Sequence, residues 1–114
     1  MRLAAKLNLK PGMALRVLGR PAAVDLDDVT AKPGADGVLL FVRSLADVDA
    51  KADLVVEAAR ADRLAWIAYP KAGGLGTDLK RDALARHLQR RGVEPVRMVA
   101  VDEVWSAIRF RPAK

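Results

Sequence analysis

Two short runs, Gly37-Val38-Leu39-Leu40-Phe41-Val42 and Leu64-Ala65-Trp66-Ile67-Ala68-Tyr69, are apolar at every position. A strand with one face in water alternates apolar and polar residues, so a strand without alternation has both faces covered. Between the two runs, Ser44 and Asp47 form an N-cap with an acid at the third helical position, and Leu45, Val48, Ala52, Val55, Val56 and Ala59 return at helical spacing. The spacing predicts a helix over 45–61. Strand, helix and strand in that order require parallel pairing through a crossover. The centre of the molecule is therefore a parallel sheet, with helices expected on each side of it.

Weaker signals complete the order. Leu3 and Leu7, four apart, predict a short N-terminal helix that Pro11-Gly12 stops before a strand at 14–18. Residues 20–35 are turn-like, broken by Pro21, by Asp25, Asp27 and Asp28, and by Pro33-Gly34, with room for one short edge strand near 24–29. Thr77 or Asp78 is read as the cap of a second helix with an inward stripe of Leu79, Ala83, Leu84, His87 and Leu88. Arg90 and Arg91 suit the negative end of that helix, and Gly92 closes it. The runs 96–101 and 105–110 flank Asp102-Glu103-Val104 as an antiparallel hairpin would. The expected architecture is one α/β domain over 1–114, a small open sheet that is parallel in the middle and ends in a C-terminal antiparallel hairpin.

Composition removes several chemistries. With no cysteine there are no disulfides, thiolate metal sites or cysteine nucleophiles, and with His87 alone there is no histidine cluster to hold a metal. Asp25, Asp27 and Asp28 lack the spacing of a calcium loop. The N-terminal residues show no export signal, and the longest apolar run is far short of the roughly 18 residues of a membrane span. A soluble, cytoplasmic protein without membrane contact is expected. A formal charge of +6 favours anionic partners. Thirteen of the twenty basic residues are Arg, however, a bias that coding composition alone produces, and the few aromatic residues sit inside apolar strands. A nucleic-acid partner is disfavoured on that ground.

The segment Tyr69-Pro70-Lys71-Ala72-Gly73-Gly74-Leu75-Gly76-Thr77-Asp78 carries the best candidate site, because ligands of open α/β sheets lie beyond the carboxyl ends of the strands. Lys71 precedes the glycines instead of following them, and Thr77-Asp78 puts a carboxylate where a phosphate would be repelled, so no nucleotide-binding signature is complete. If the hairpin folds back toward Lys71, then Asp102, Glu103 and Trp105 join the site, with Lys71 able to pair with either acid. The candidate ligand-binding residues are accordingly Tyr69, Lys71, Gly73, Gly74, Gly76, Thr77, Asp78, Asp102, Glu103 and Trp105, with no catalytic or metal-ligating residue and no cofactor assigned.

The order of elements resembles the C-terminal half of a Rossmann-like methyltransferase, and Leu9-Lys10-Pro11-Gly12-Met13-Ala14-Leu15-Arg16-Val17-Leu18 resembles the lead into the first strand of such an enzyme. The likeness departs at Gly19-Arg20-Pro21-Ala22, where Arg20 and Pro21 stand in place of the glycines that admit the cofactor backbone contact. Lys10-Pro11-Gly12, Tyr69-Pro70-Lys71, Thr77-Asp78-Leu79 and Ala100-Val101-Asp102-Glu103-Val104-Trp105-Ser106-Ala107-Ile108-Arg109-Phe110 together resemble a family of small bacterial proteins classed as a domain of unknown function, weakest over 20–35. That likeness brings no activity with it. The expected function is non-catalytic binding of an anionic small molecule or a protein partner. The rivals are a minimal enzyme of methyltransferase-like lineage, without an S-adenosylmethionine motif and with Lys71 and Asp102 or Glu103 as its acid and base, and a basic nucleic-acid accessory.

Overall fold

The computed structural model describes residues 2–26, 28–71 and 79–113. Helix α1 (Leu3–Lys6) leads into strand β1 (Leu15–Leu18), and strand β2 (Gly37–Phe41) is followed by helices α2 (Leu45–Lys51) and α3 (Asp53–Arg60). Strand β3 (Ala65–Pro70), helix α4 (Arg81–Gln89) and strands β4 (Val93–Ala100) and β5 (Trp105–Pro112) complete the chain. The five strands form one sheet in the order β1-β2-β3-β5-β4. β1, β2 and β3 are parallel, and β5 enters antiparallel between β3 and β4.

Every residue of β2 and β3 is buried, as their unbroken apolar sequence requires. What covers the two faces differs from expectation. On one face Leu40, Ile67, Ile108 and Phe110 pack against Val48, Val55, Leu84 and Leu88 from the three longer helices. On the other, Leu39, Trp66 and Ala107 pack against Leu7, Val24 and Val29, so α1 and the helix-free stretch after β1 cover that face. The three longer helices are thus on one side, and the described residues of 19–36 cross the other face beside α1 as turns. Two of these turns, closed by Val24 N–H to Pro21 carbonyl (3.0 Å) and Val29 N–H to Leu26 carbonyl (2.9 Å), drive Val24 and Val29 inward in place of the edge strand expected at 24–29. Among the described residues, only an isolated parallel bridge between Leu15 and Ala31 extends the sheet beyond β1.

Three further boundaries move. The helix expected over 45–61 divides at Ala52, which is fully buried, and Val48 on one piece and Val55 and Val56 on the next are all buried in the same core. Its N-cap is as expected, with the Ser44 hydroxyl accepting from Asp47 N–H at 3.1 Å. α4 begins at Arg81 with Lys80 at its N-cap and no side-chain cap; Thr77 and Asp78 lie outside the described residues. β4 starts at Val93 and carries Pro95 beside a register shift, which an edge strand accommodates because its outer N–H groups need no partner. No helix among the described residues is long and apolar enough to cross a membrane.

Candidate functional site

The sheet has two rims, and at one of them lie the described residues among those singled out from sequence. At the carboxyl end of β3, Lys71 N–H donates to the Val104 carbonyl at 2.8 Å and Pro70 faces Trp105 across the sheet, so Lys71 and the Asp102–Val104 turn do adjoin. The turn uses its acid for itself. Asp102 Oδ1 accepts from the N–H groups of both Val104 and Trp105 at 2.8 Å, the self-capping that makes Asp a turn residue. Glu103 is exposed beside it. Trp105 is 3% exposed and meets Phe41 edge to face at 5.3 Å, in the position of a core side chain. Tyr69 is buried on the opposite face, its hydroxyl 3.3 Å from Met98 sulfur, and burial pushes the phenol pKa up, opposed by Arg81 and assisted by Asp82. Gly73, Gly74, Gly76, Thr77 and Asp78 lie outside the described residues. His87 Nε2 is 2.7 Å from Asp49 Oδ1, joining α4 to α2.

The other rim holds a broad concavity. At the amino ends of β1, β2 and β3, a groove of about 1070 Å³ opens between the chain leading into each strand. Its cations are Lys10, Lys32, Arg63 and Arg109, against the carboxylates of Asp36 and Asp62. Both carboxylates are engaged. Asp36 pairs with Arg63 at 3.6 Å, and Asp62 takes a two-point contact from Arg111 at 2.8 and 3.0 Å that holds its carboxyl below the ordinary range.

Arg109 is the feature of this groove that the apolar pattern of β5 does not account for. Trp105, Ala107 and Arg109 alternate along β5 and so share a face, and the first two are in the core beneath α1. The helix end above explains part of the arrangement. Asn8, in the left-handed region at φ 64°, ends α1 and turns its Oδ1 to accept from Arg109 Nη1 at 3.1 Å. Arg109 Nε is buried with no hydrogen-bond partner among the described residues. Burial pulls the pKa of the guanidinium down, as do Arg111 and Arg97, while Asp62 opposes them. An unmatched buried donor of this kind costs about 1–3 kcal/mol, more when charged.

Arg109, Lys32, Asn8 and Arg63 at this groove are not among the candidate residues read from the sequence. Two signals were available: a lone arginine at an inward position of an apolar strand, and the tripeptide Lys-Pro-Gly at both 10–12 and 32–34. Among the described residues, no group of three His, Asp or Glu side chains is placed to hold a metal ion. Compared with protein-family models, with curated proteins and with solved structures, the chain matches none.

Proposed function

We propose that the chain is a cytoplasmic, non-catalytic α/β protein that binds a small anionic molecule in the groove at the amino ends of its parallel strands. The observation that carries the reading is Arg109, a charged side chain in the groove wall with a buried N–H that has no acceptor among the described residues. An anionic group in the groove meets the positive charge of the Arg109 guanidinium in its wall, and Lys10 and Lys32 add positive charge at the same groove. The volume suits a metabolite better than a simple ion, since small-molecule sites commonly span about 300–1,000 Å³.

The non-catalytic part of the proposal is supported at the other rim, where the Asp102 carboxylate, one of the acids named for the enzyme reading, caps its own turn. A hairpin laid antiparallel at the end of a parallel sheet supports a Rossmann-like, methyltransferase-like lineage for the scaffold. The loop after β1 supports its having left that chemistry. Arg20 Nη1 donates to the Val24 carbonyl and folds the loop back on itself, and Gly19, at φ 73°, is required because a Cβ there would lie 2.9 Å from the Phe41 carbonyl oxygen. The same proposal places the chain with the small bacterial proteins that its Lys10-Pro11-Gly12 and Tyr69-Pro70-Lys71 motifs resemble.

A thermal-shift series with phosphorylated and carboxylated metabolites, nucleotides and S-adenosylmethionine tests this on the parent, Arg109→Met and Lys71→Ala proteins. A ligand of the native state present at a hundred times its Kd adds about 2.7 kcal/mol. The expected result is a rise in Tm with an anionic metabolite for the parent and Lys71→Ala, and none for Arg109→Met. A rise lost in Lys71→Ala and kept in Arg109→Met moves the site to the carboxyl rim, and a response to S-adenosylmethionine alone favours the enzyme reading.

A further inference from the structure

The groove contains a repeated element that the reading above does not use. Lys10-Pro11-Gly12-Met13 and Lys32-Pro33-Gly34-Ala35 are both tight turns, closed by Met13 N–H to Lys10 carbonyl at 3.0 Å and Ala35 N–H to Lys32 carbonyl at 3.1 Å. Each puts Pro second, where its fixed φ stiffens a turn, and Gly third. Both turns line the groove. They are held side by side by β1: Leu15 N–H donates to the Thr30 carbonyl at 2.9 Å, and Lys32 N–H donates to the Leu15 carbonyl at 3.0 Å.

Resting on the anion-binding reading, we infer that the two Lys-Pro-Gly turns are a paired clamp, and that the ligand carries two separate anionic groups, one held by Arg109 and the other between Lys10 and Lys32. Three observations converge on it. Lys10 and Lys32 are exposed and make no ion pair among the described residues, whereas Asp36 and Asp62 in the same groove are committed to Arg63 and Arg111. Arg109 is partly buried beneath Asn8, so the positive charge of the groove lies in two places, one against its wall and one on the exposed turns. A single anionic group neutralises one of these and leaves the other.

The third observation is the space above the turns. Gly12 needs its glycine for a φ of 86°, but Gly34 does not have a left-handed backbone, and a Cβ at either position would meet nothing within 4 Å. At Gly34 neither backbone nor packing demands glycine, so what its absent side chain preserves is open room beside Lys32. Stiff turns lose little entropy when their lysines close on a ligand. A non-aromatic body between the two anionic groups suits the groove best, since its apolar wall is Met13, Ala14, Ala35 and Leu64 with no aromatic ring among the described residues. The class is a non-aromatic bis-anion, either a sugar bisphosphate or an aliphatic dicarboxylate.

Calorimetric titration at low salt decides it, using matched probes: fructose bisphosphate against fructose monophosphate, and adipate against hexanoate. The proteins are the parent, the double variant Lys10→Met/Lys32→Met and Arg109→Met, with circular dichroism and melting curves establishing that each is folded. In at least one probe pair the doubly charged ligand binds the parent about tenfold more tightly, the worth of two exposed charge pairs. In the lysine double variant that advantage disappears, while the singly charged ligand keeps its affinity within about twofold. Equal affinity of the two ligands for the parent, or an advantage that survives in the double variant, overturns the clamp; the anion-binding reading then still stands if Arg109→Met abolishes binding. Absence of binding by every probe, or binding indifferent to Arg109→Met, overturns both.

Discussion

Glycine at position 37 is held by its neighbours. A Cβ there would lie 2.8 Å from Leu15 Cδ2 and 3.2 Å from Leu64 Cβ, at the point where β1, β2 and the entry to β3 meet. Gly37→Ala is expected to lower stability by about 1–3 kcal/mol through overpacking, measured by urea denaturation. Gly34→Ala, in open space, is expected to be neutral or to gain about 0.4–1 kcal/mol by stiffening the unfolded chain. Asp62 gives a pH signature. The Arg111 guanidinium bonded to it, with Arg109 nearby, lowers its pKa in the folded state. The unfolded carboxyl titrates near 3.9, so the contribution is complete above that value and is lost as pH falls through the lowered folded value. Asp62→Asn should therefore be less stable than the parent at neutral pH, and the difference should shrink in melts carried progressively into acid. A gap that persists undiminished at strongly acidic pH contradicts the charge-based account.

Turns decide more of this fold than helices do. The Asp102 carboxylate gathers two backbone N–H groups between β4 and β5, so Asp102→Ala leaves both without that acceptor and is expected to cost about 0.5–2 kcal/mol, as loss of a comparable cap does. Glu103→Ala, exposed in the same turn, should cost less than about 0.5 kcal/mol. Parallel β2 and β3 and the closing hairpin were legible from Gly37–Val42, Leu64–Tyr69 and the Asp102-Glu103-Val104 break, because burial on both faces leaves no polar position and a tight connection requires turn residues. The break at Ala52 was not legible, since apolar spacing is nearly continuous through it. Nor was the helix-free cover formed by Val24 and Val29, where propensity gave turns and only tertiary packing decides which side of a turn faces the core.

At the scale of the molecule, the sheet has a carboxyl rim where Lys71 meets the last hairpin turn and an amino rim where Arg109 lines the groove. General expectation for α/β sheets points to the first. Charge and unsatisfied hydrogen bonding point to the second. A glycine-rich loop after a strand is a local pattern and legible in the sequence, whereas the groove assembles Asn8, Lys32, Arg63 and Arg109 from distant stretches. The fold brings those stretches together only because α1 and the 19–36 crossing share a face with Trp66, whose indole N–H donates to the Leu7 carbonyl at 3.1 Å. An amide-detected NMR titration with fructose bisphosphate and with adipate tests the central claim directly. The account predicts shift changes concentrated at 8–14, 32–37 and 62–64 and at the Arg109 side-chain N–H; changes centred instead on Lys71 and 102–105 would contradict it.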